Sequence, residues 1–124
     1  MTTDKEQIVK AIAQIAAEEA FIPLRREHFT EVCPNPAWAA HVSGRSAGEA
    51  VGRLGRELAQ AGPGEPGGLV AYIRTDSMTL ADLSRIDGML PRAPSFRRGL
   101  ALLPDGSGTD IWIFADAGWD KEES

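Results

Sequence analysis

The sequence predicts a single α+β domain: a mixed, mostly antiparallel sheet of four to five strands covered by three helices, in the order α-ββ-α-β-α-ββ. Three observations carry this expectation. Two amphipathic segments open on capping-box patterns, Thr3-Asp-Lys-Glu6 and Ser46-Ala-Gly-Glu49, in which hydroxyl and carboxylate satisfy the orphan amides of a helix start. The run Leu69–Ile73 (LVAYI) is apolar throughout and reads as a buried strand. The third is Arg97–Phe114, where the apolar runs Leu100–Leu103 and Ile111–Phe114 flank Pro104-Asp105-Gly106-Ser107-Gly108, a turn-forming cluster. That stretch reads as a β-hairpin. Ile111 and Ile113 point to one face and Trp112 and Phe114 to the other, and a strand apolar on both faces needs cover on both. The hairpin is therefore the expected centre of the sheet.

In chain order, the first helix spans 4–20. Ile8, Ile12 and Ile15 share one face, Val9, Ala13, Ala16 and Ala20 widen it, and Pro23 bars continuation. Residues 28–33 (HFTEVC) and 38–42 (WAAHV) are expected to be short strands joined by Pro34-Asn35-Pro36; Phe29 and Val32 do not alternate cleanly, and 38–42 is also compatible with a helical turn. The second helix spans 46–61, with Ala47, Val51, Leu54, Leu58 and Ala61 as its apolar stripe. Beside it runs a stripe of minimal side chains, Gly48, Gly52, Gly55 and Ala59. Each interior glycine costs roughly 0.5–1 kcal/mol relative to alanine, so the stripe predicts a close approach, either packing on the sheet or another helix, or a ligand or a partner's backbone. Glu49, Arg53 and Glu57 support one another at i, i+4 and i+8. After the loop 62–68 (GPGEPGG) and the strand 69–73, a third helix spans about 80–90, capped by Thr79 or Ser77 and ended by Pro91 and Pro94. The domain is expected to run from 1 to 116, with 117–124 an acidic tail.

Composition limits the function classes. The 124 residues carry a net charge of −5, 43% hydrophobic content and one cysteine. That is the composition of a globular chain without an internal disulfide, and no apolar run approaches the ~20 residues that span a bilayer. MTTDKEQIVKA lacks the basic start and apolar run of a signal peptide, so a reduced, cytoplasmic, bacterial protein is expected. The charge is segregated: residues 25–98 are net basic through ten arginines, and 99–124 are net acidic. A net-acidic chain whose aromatics are mostly in the hairpin is not the composition of a nucleic-acid-binding domain.

Candidate chemistry is sparse. Cys33 with His28 or His41 lacks any nucleophile signature, and the three together are one ligand short of a structural zinc site. Gly44-Arg-Ser-Ala-Gly48 matches no phosphate-loop motif, and Asp76, Asp82, Asp87, Asp105 and Asp110 form no obvious acid–base pair. No catalytic residue, metal or cofactor is assigned. Arg92, Arg97 and Arg98 fall close together, and Trp119 stands in a polar tail. Arginine and tryptophan dominate binding hot spots, so these four are the candidate partner-binding residues.

Val42–Leu58, VSGRSAGEAVGRLGREL, resembles the strand, G-x-[ST]-x-x-E-A turn and helix of HicB-like antitoxins, small acidic proteins that neutralise a partner ribonuclease. The resemblance covers 17 residues, and the long first helix departs from that pattern, so no functional residue is carried over. The expected function is non-enzymatic protein–protein binding, as an immunity, antitoxin or adaptor-like subunit with a protein partner, possibly acidic. Homo-oligomerisation is compatible with it. The alternative is a small-molecule binding or sensory domain with its ligand beside Gly48, Gly52 and Gly55.

Overall fold

The computed structural model describes residues 2–61 and 65–116. Its elements are α1 (Lys5–Ala17), α2 (Arg26–Val32), β1 (Pro36–Gly44), α3 (Ala47–Ala61), β2 (Gly68–Thr75), α4 (Leu80–Met89), β3 (Ser95–Leu102) and β4 (Thr109–Asp116). One four-stranded sheet of order β1-β4-β2-β3 forms the middle layer. β4 pairs antiparallel with both β1 and β2, and β2 pairs parallel with β3, so the sheet is mixed and mostly antiparallel.

Helices cover both faces. On one, Val51, Leu54 and Leu58 of α3 and Ile86 of α4 pack on Ala71, Ile73, Ile111 and Ile113. On the other, Ile8, Ile12 and Ile15 of α1 and Phe29 of α2 pack with Val70, Tyr72 and Phe114. β4 thus has the two-sided cover that its unbroken apolar run requires.

The expected hairpin does not form. β2 lies between β3 and β4, in register with both: Leu69 faces Phe96 on one side and Ala115 on the other. The physical reason is competition. β2 is apolar on both faces and buried along almost its whole length, so the central place satisfies it better than an edge would. The turn-forming residues then serve as an arch over the end of β2. The Leu103 amide donates to the Thr75 carbonyl (2.8 Å), the Asp76 amide donates to the Gly108 carbonyl (3.1 Å), and the Asp76 carboxylate accepts from Gly106 and Gly108. Gly108 has φ +85°, and a β-carbon there would lie 2.6 Å from the Gly44 carbonyl oxygen.

Three further expectations change. Residues 28–32 belong to the helix α2 and Cys33 is its C-cap, which makes four helices among the described residues rather than three; Phe29, Val32 and Cys33 at i, i+3 and i+4 share the sheet-facing side. The strand expected at 38–42 runs from Pro36 to Gly44. Asp4, not Thr3, caps α1, accepting from the amides of Glu6 and Gln7. Thr79 caps α4, in a reciprocal box with Asp82.

Each sheet edge is met by a single-residue bridge. At the β1 edge Thr2 exchanges two hydrogen bonds with Ala39, at 2.8 and 2.9 Å. At the β3 edge Ile22 exchanges two with Leu100, both at 2.9 Å. Gly99 makes that strap possible: a β-carbon there would lie 2.6 Å from Leu24 Cγ and 2.8 Å from Tyr72 Cδ1.

Candidate functional site

β3 begins after Pro91 and Pro94, which end α4 and deliver the chain to the sheet edge. Because Leu100 turns its amide and carbonyl toward Ile22, the alternation of a strand turns those of Phe96, Arg98 and Leu102 outward as well. Ile22 occupies this edge at Leu100, so the template for another strand is the part of β3 that precedes the bridge, at Phe96 and Arg98. Large apolar side chains gather around it: Phe21 is 71% exposed, Ile22 45%, Phe96 43% and Leu102 63%.

Side chains alternate across the strand. Arg98 faces α4, where its guanidinium pairs with Asp87 and lies 5.7 Å from the centre of the Phe96 ring. Its Nε is buried and has no hydrogen-bond partner among the described residues. Arg97 faces α2, 3.9 Å from Glu31. Arg92 is exposed on the α4–β3 connection. A groove of about 370 Å³ opens here, lined by Leu69, Leu90, Arg92, Phe96 and Arg98 among others, at the lower end of the range of ligand pockets. The structure therefore unites Arg92 and Arg98 and separates Arg97 from them, correcting the expected cluster of three. Trp119 lies outside the described residues. Phe96, which the sequence reading did not single out, completes the surface; its signal was an aromatic side chain beside two arginines at a strand start.

The glycine-lined face of α3 shows no close approach at its middle. A β-carbon on Gly52 would meet nothing within 4 Å; on Gly48 the nearest group is Ser46 Oγ at 4.0 Å, and on Gly55 it is Met89 Cε at 3.7 Å. Nothing in the structure explains the glycine at 52.

A polar cluster that the sequence did not reveal lies under the end of α1. The Tyr72 hydroxyl donates to Glu18 (2.6 Å), Arg74 pairs with Glu18 (3.0 Å) and Asp110 (3.4 Å), and His41 Nε2 lies 3.3 Å from Asp110. Burial and then the bond to Glu18 push the Tyr72 hydroxyl pKa up. The His41 ring stacks on Trp112 at 4.1 Å, and cavities of about 260 Å³ flank the indole on either side. His41, Trp112 and Tyr72 are cross-strand neighbours, a row visible only once the register is known.

The remaining candidates have structural places. Cys33 is buried, and burial followed by the charge of Asp116 pushes its thiol up to about 12, the reverse of an activated nucleophile. His28 Nδ1 accepts from the Arg25 amide at the start of α2. At the start of α3 the chain supplies its own anion: the Glu49 carboxylate accepts from the Arg45 amide (2.7 Å) and pairs with Arg53 (3.4 Å). The Arg45 amide is the main cause that holds Glu49 below the usual carboxylate range, against a smaller effect of desolvation and with help from Arg53. No helix among the described residues is long and apolar enough to cross a membrane.

The strand, turn and helix of the local resemblance are present as β1, residues 45–46 and α3. Neither a scan against protein-family models nor a search of curated proteins finds a match to the chain.

Proposed function

We propose that this chain acts by binding another protein, and that the binding surface is the outer side of β3 with the groove beneath it. The observation that carries the reading is the concentration of exposed Phe21, Ile22, Phe96 and Leu102 on one strand edge that also holds Arg92 and Arg98. Main-chain groups facing outward supply affinity by strand addition, and the side-chain pockets supply specificity. Arg92, exposed at the groove, favours a partner segment that carries a carboxylate, whereas Arg98 is already paired with Asp87. A self-pairing of β3 centred on Arg97 or Arg98 would place like charges opposite each other, which is destabilising. An immunity, antitoxin or adaptor-like role is consistent with such a surface.

The test is native mass spectrometry of the tagged chain purified gently from its host. A stoichiometric partner is expected with the natural sequence and with Leu80→Ala, which removes an exposed apolar side chain at the start of α4 that is not among the groove's lining residues. It is expected to be lost with Phe96→Ala and with Arg92→Glu. Equal retention by all four proteins would contradict the proposal.

A second reading, binding of a small polar ligand, is favoured by the paired cavities beside Trp112 rather than by the glycines of α3. Loss of a bound small mass on His41→Ala, with the melting temperature unchanged, is its test.

A further inference from the structure

Phe114, Trp112 and His41 present three rings, each within 6° of parallel to the next, with centres 5.7 and 4.1 Å apart. The series ends at His41, on the edge strand β1, with 41% of its side chain exposed. Beside it lies a cavity of about 260 Å³ lined by Thr2, Gln7, Ala39, His41 and Trp112.

The fold leaves two polar groups in that lining unused. The Thr2 hydroxyl accepts from the Asp4 amide (3.0 Å), so its own proton goes to Gln7 Oε1 (3.0 Å). That contact orients the carboxamide and leaves the N–H groups of Gln7 Nε2 without an acceptor among the described residues. His41 Nε2 lies 3.3 Å from an Asp110 oxygen, and a carboxylate only accepts, so Nε2 carries the ring proton. In the neutral imidazole Nδ1 is then an acceptor, and no described residue donates to it. The cavity therefore offers a donor and an acceptor beside a flat aromatic wall.

Charge and size narrow the class of ligand. Glu18 and Asp110 are two carboxylates against one guanidinium, Arg74, so the surroundings repel an anion. A cation brings no acceptor for the Gln7 donors. The cavity is also smaller than the ~300–1,000 Å³ of drug-sized sites.

We infer that this cavity binds a small, neutral, planar amide or lactam, whose N–H donates to His41 Nδ1 and whose C=O accepts from Gln7 Nε2. The inference names the ligand class for the small-ligand reading and rests on that reading.

The experiment is a two-dimensional NMR titration of the isotope-labelled full chain with two probes. Uracil is a single-ring lactam; 1,3-dimethyluracil keeps the ring and both carbonyls but has no N–H. Uracil is expected to give saturable shifts at the Gln7 side-chain amide and the Trp112 indole N–H. Dimethyluracil is expected to bind about tenfold more weakly, the loss of one hydrogen bond. His41→Phe keeps a stacking ring without Nδ1, and Gln7→Met removes the donors from an exposed helix position. Each variant is expected to bind uracil about tenfold more weakly. No saturable shift with uracil, equal affinity for the two probes, or unchanged uracil binding by either variant would overturn the inference. Such a failure leaves the small-ligand reading standing if His41→Ala still loses a bound mass, and removes it too if no small mass is bound by the natural sequence.

Discussion

β3 and β4 follow one another in the chain and are each eight residues long, yet they occupy opposite situations. β4 has a strand on either side and helices over both faces, and Ile111, Ile113, Phe114 and Ala115 are fully buried. β3 pairs along its length only with β2, Ile22 meets one residue of its outer side, and Phe96, Arg97 and Leu102 are exposed. The same residue type therefore does different work in the two strands. Phe114 is edge-on to Phe29 within the core (5.4 Å between ring centres) and holds α2 to the sheet. Phe96 sits at the rim of a groove beside Arg98. Position in the sheet, more than composition, decides which aromatic stabilises and which is available for recognition.

Truncating the two aromatics separates their roles. Phe114→Ala is expected to destabilise the fold by roughly 3–5 kcal/mol, whereas Phe96→Ala stays within about 0.5 kcal/mol; urea unfolding of both variants measures the difference. Equal losses would mean that Phe96 belongs to the core. A methyl group at Gly99 tests the strap that closes part of the β3 edge. Gly99→Ala is expected to cost about 1–3 kcal/mol through overpacking, with faster hydrogen exchange at Ile22 and Leu100. Away from both strands, Gly52→Ala and Gly88→Ala each place a β-carbon in open space and are expected to raise stability by about 0.5–1 kcal/mol. A loss at Gly52 would show that the glycine face is covered by something outside the chain.

The smallest effect at neutral pH concerns Cys33 in the α2 layer. Its native thiol keeps its proton up to about 12, against an ordinary value of 9.0. Between those values the unfolded chain has released a proton that the folded chain holds, so the thiol's contribution to stability falls as pH rises. Cys33→Ala is expected to flatten the alkaline limb of a pH–stability profile. Labelling of the native thiol at pH 8 is expected to proceed only as fast as the protein opens.

The helices α1, α3 and α4 and the strand β2 were legible because their apolar spacing and caps are local. The pairing of β3 was not. A turn-rich segment between two apolar runs carries the same residues whether it closes a hairpin or arches over an intervening strand, and only the non-local competition of β2 decides between them. Residues 28–33 were misread because a seven-residue helix shows barely two turns of periodicity, although Phe29, Val32 and Cys33 already sat at helical spacing. Of the three arginines that the sequence groups, Arg92 and Arg98 line one groove, while strand alternation sends Arg97 to the other face. The row His41, Trp112 and Tyr72 needs the register and could not be read at all.

The measurement that tests the β3 edge most directly is site-specific photocrosslinking in the host cell, with the photoreactive residue placed at Phe96 and, separately, at Leu80. Both positions are exposed and apolar, but only one is on the sheet edge. Position 96 is expected to yield a discrete crosslink mapping to an acidic segment of one partner protein, and position 80 is not. The same crosslink from both positions, or none from position 96 in cells where the natural chain co-purifies with a partner, would contradict it.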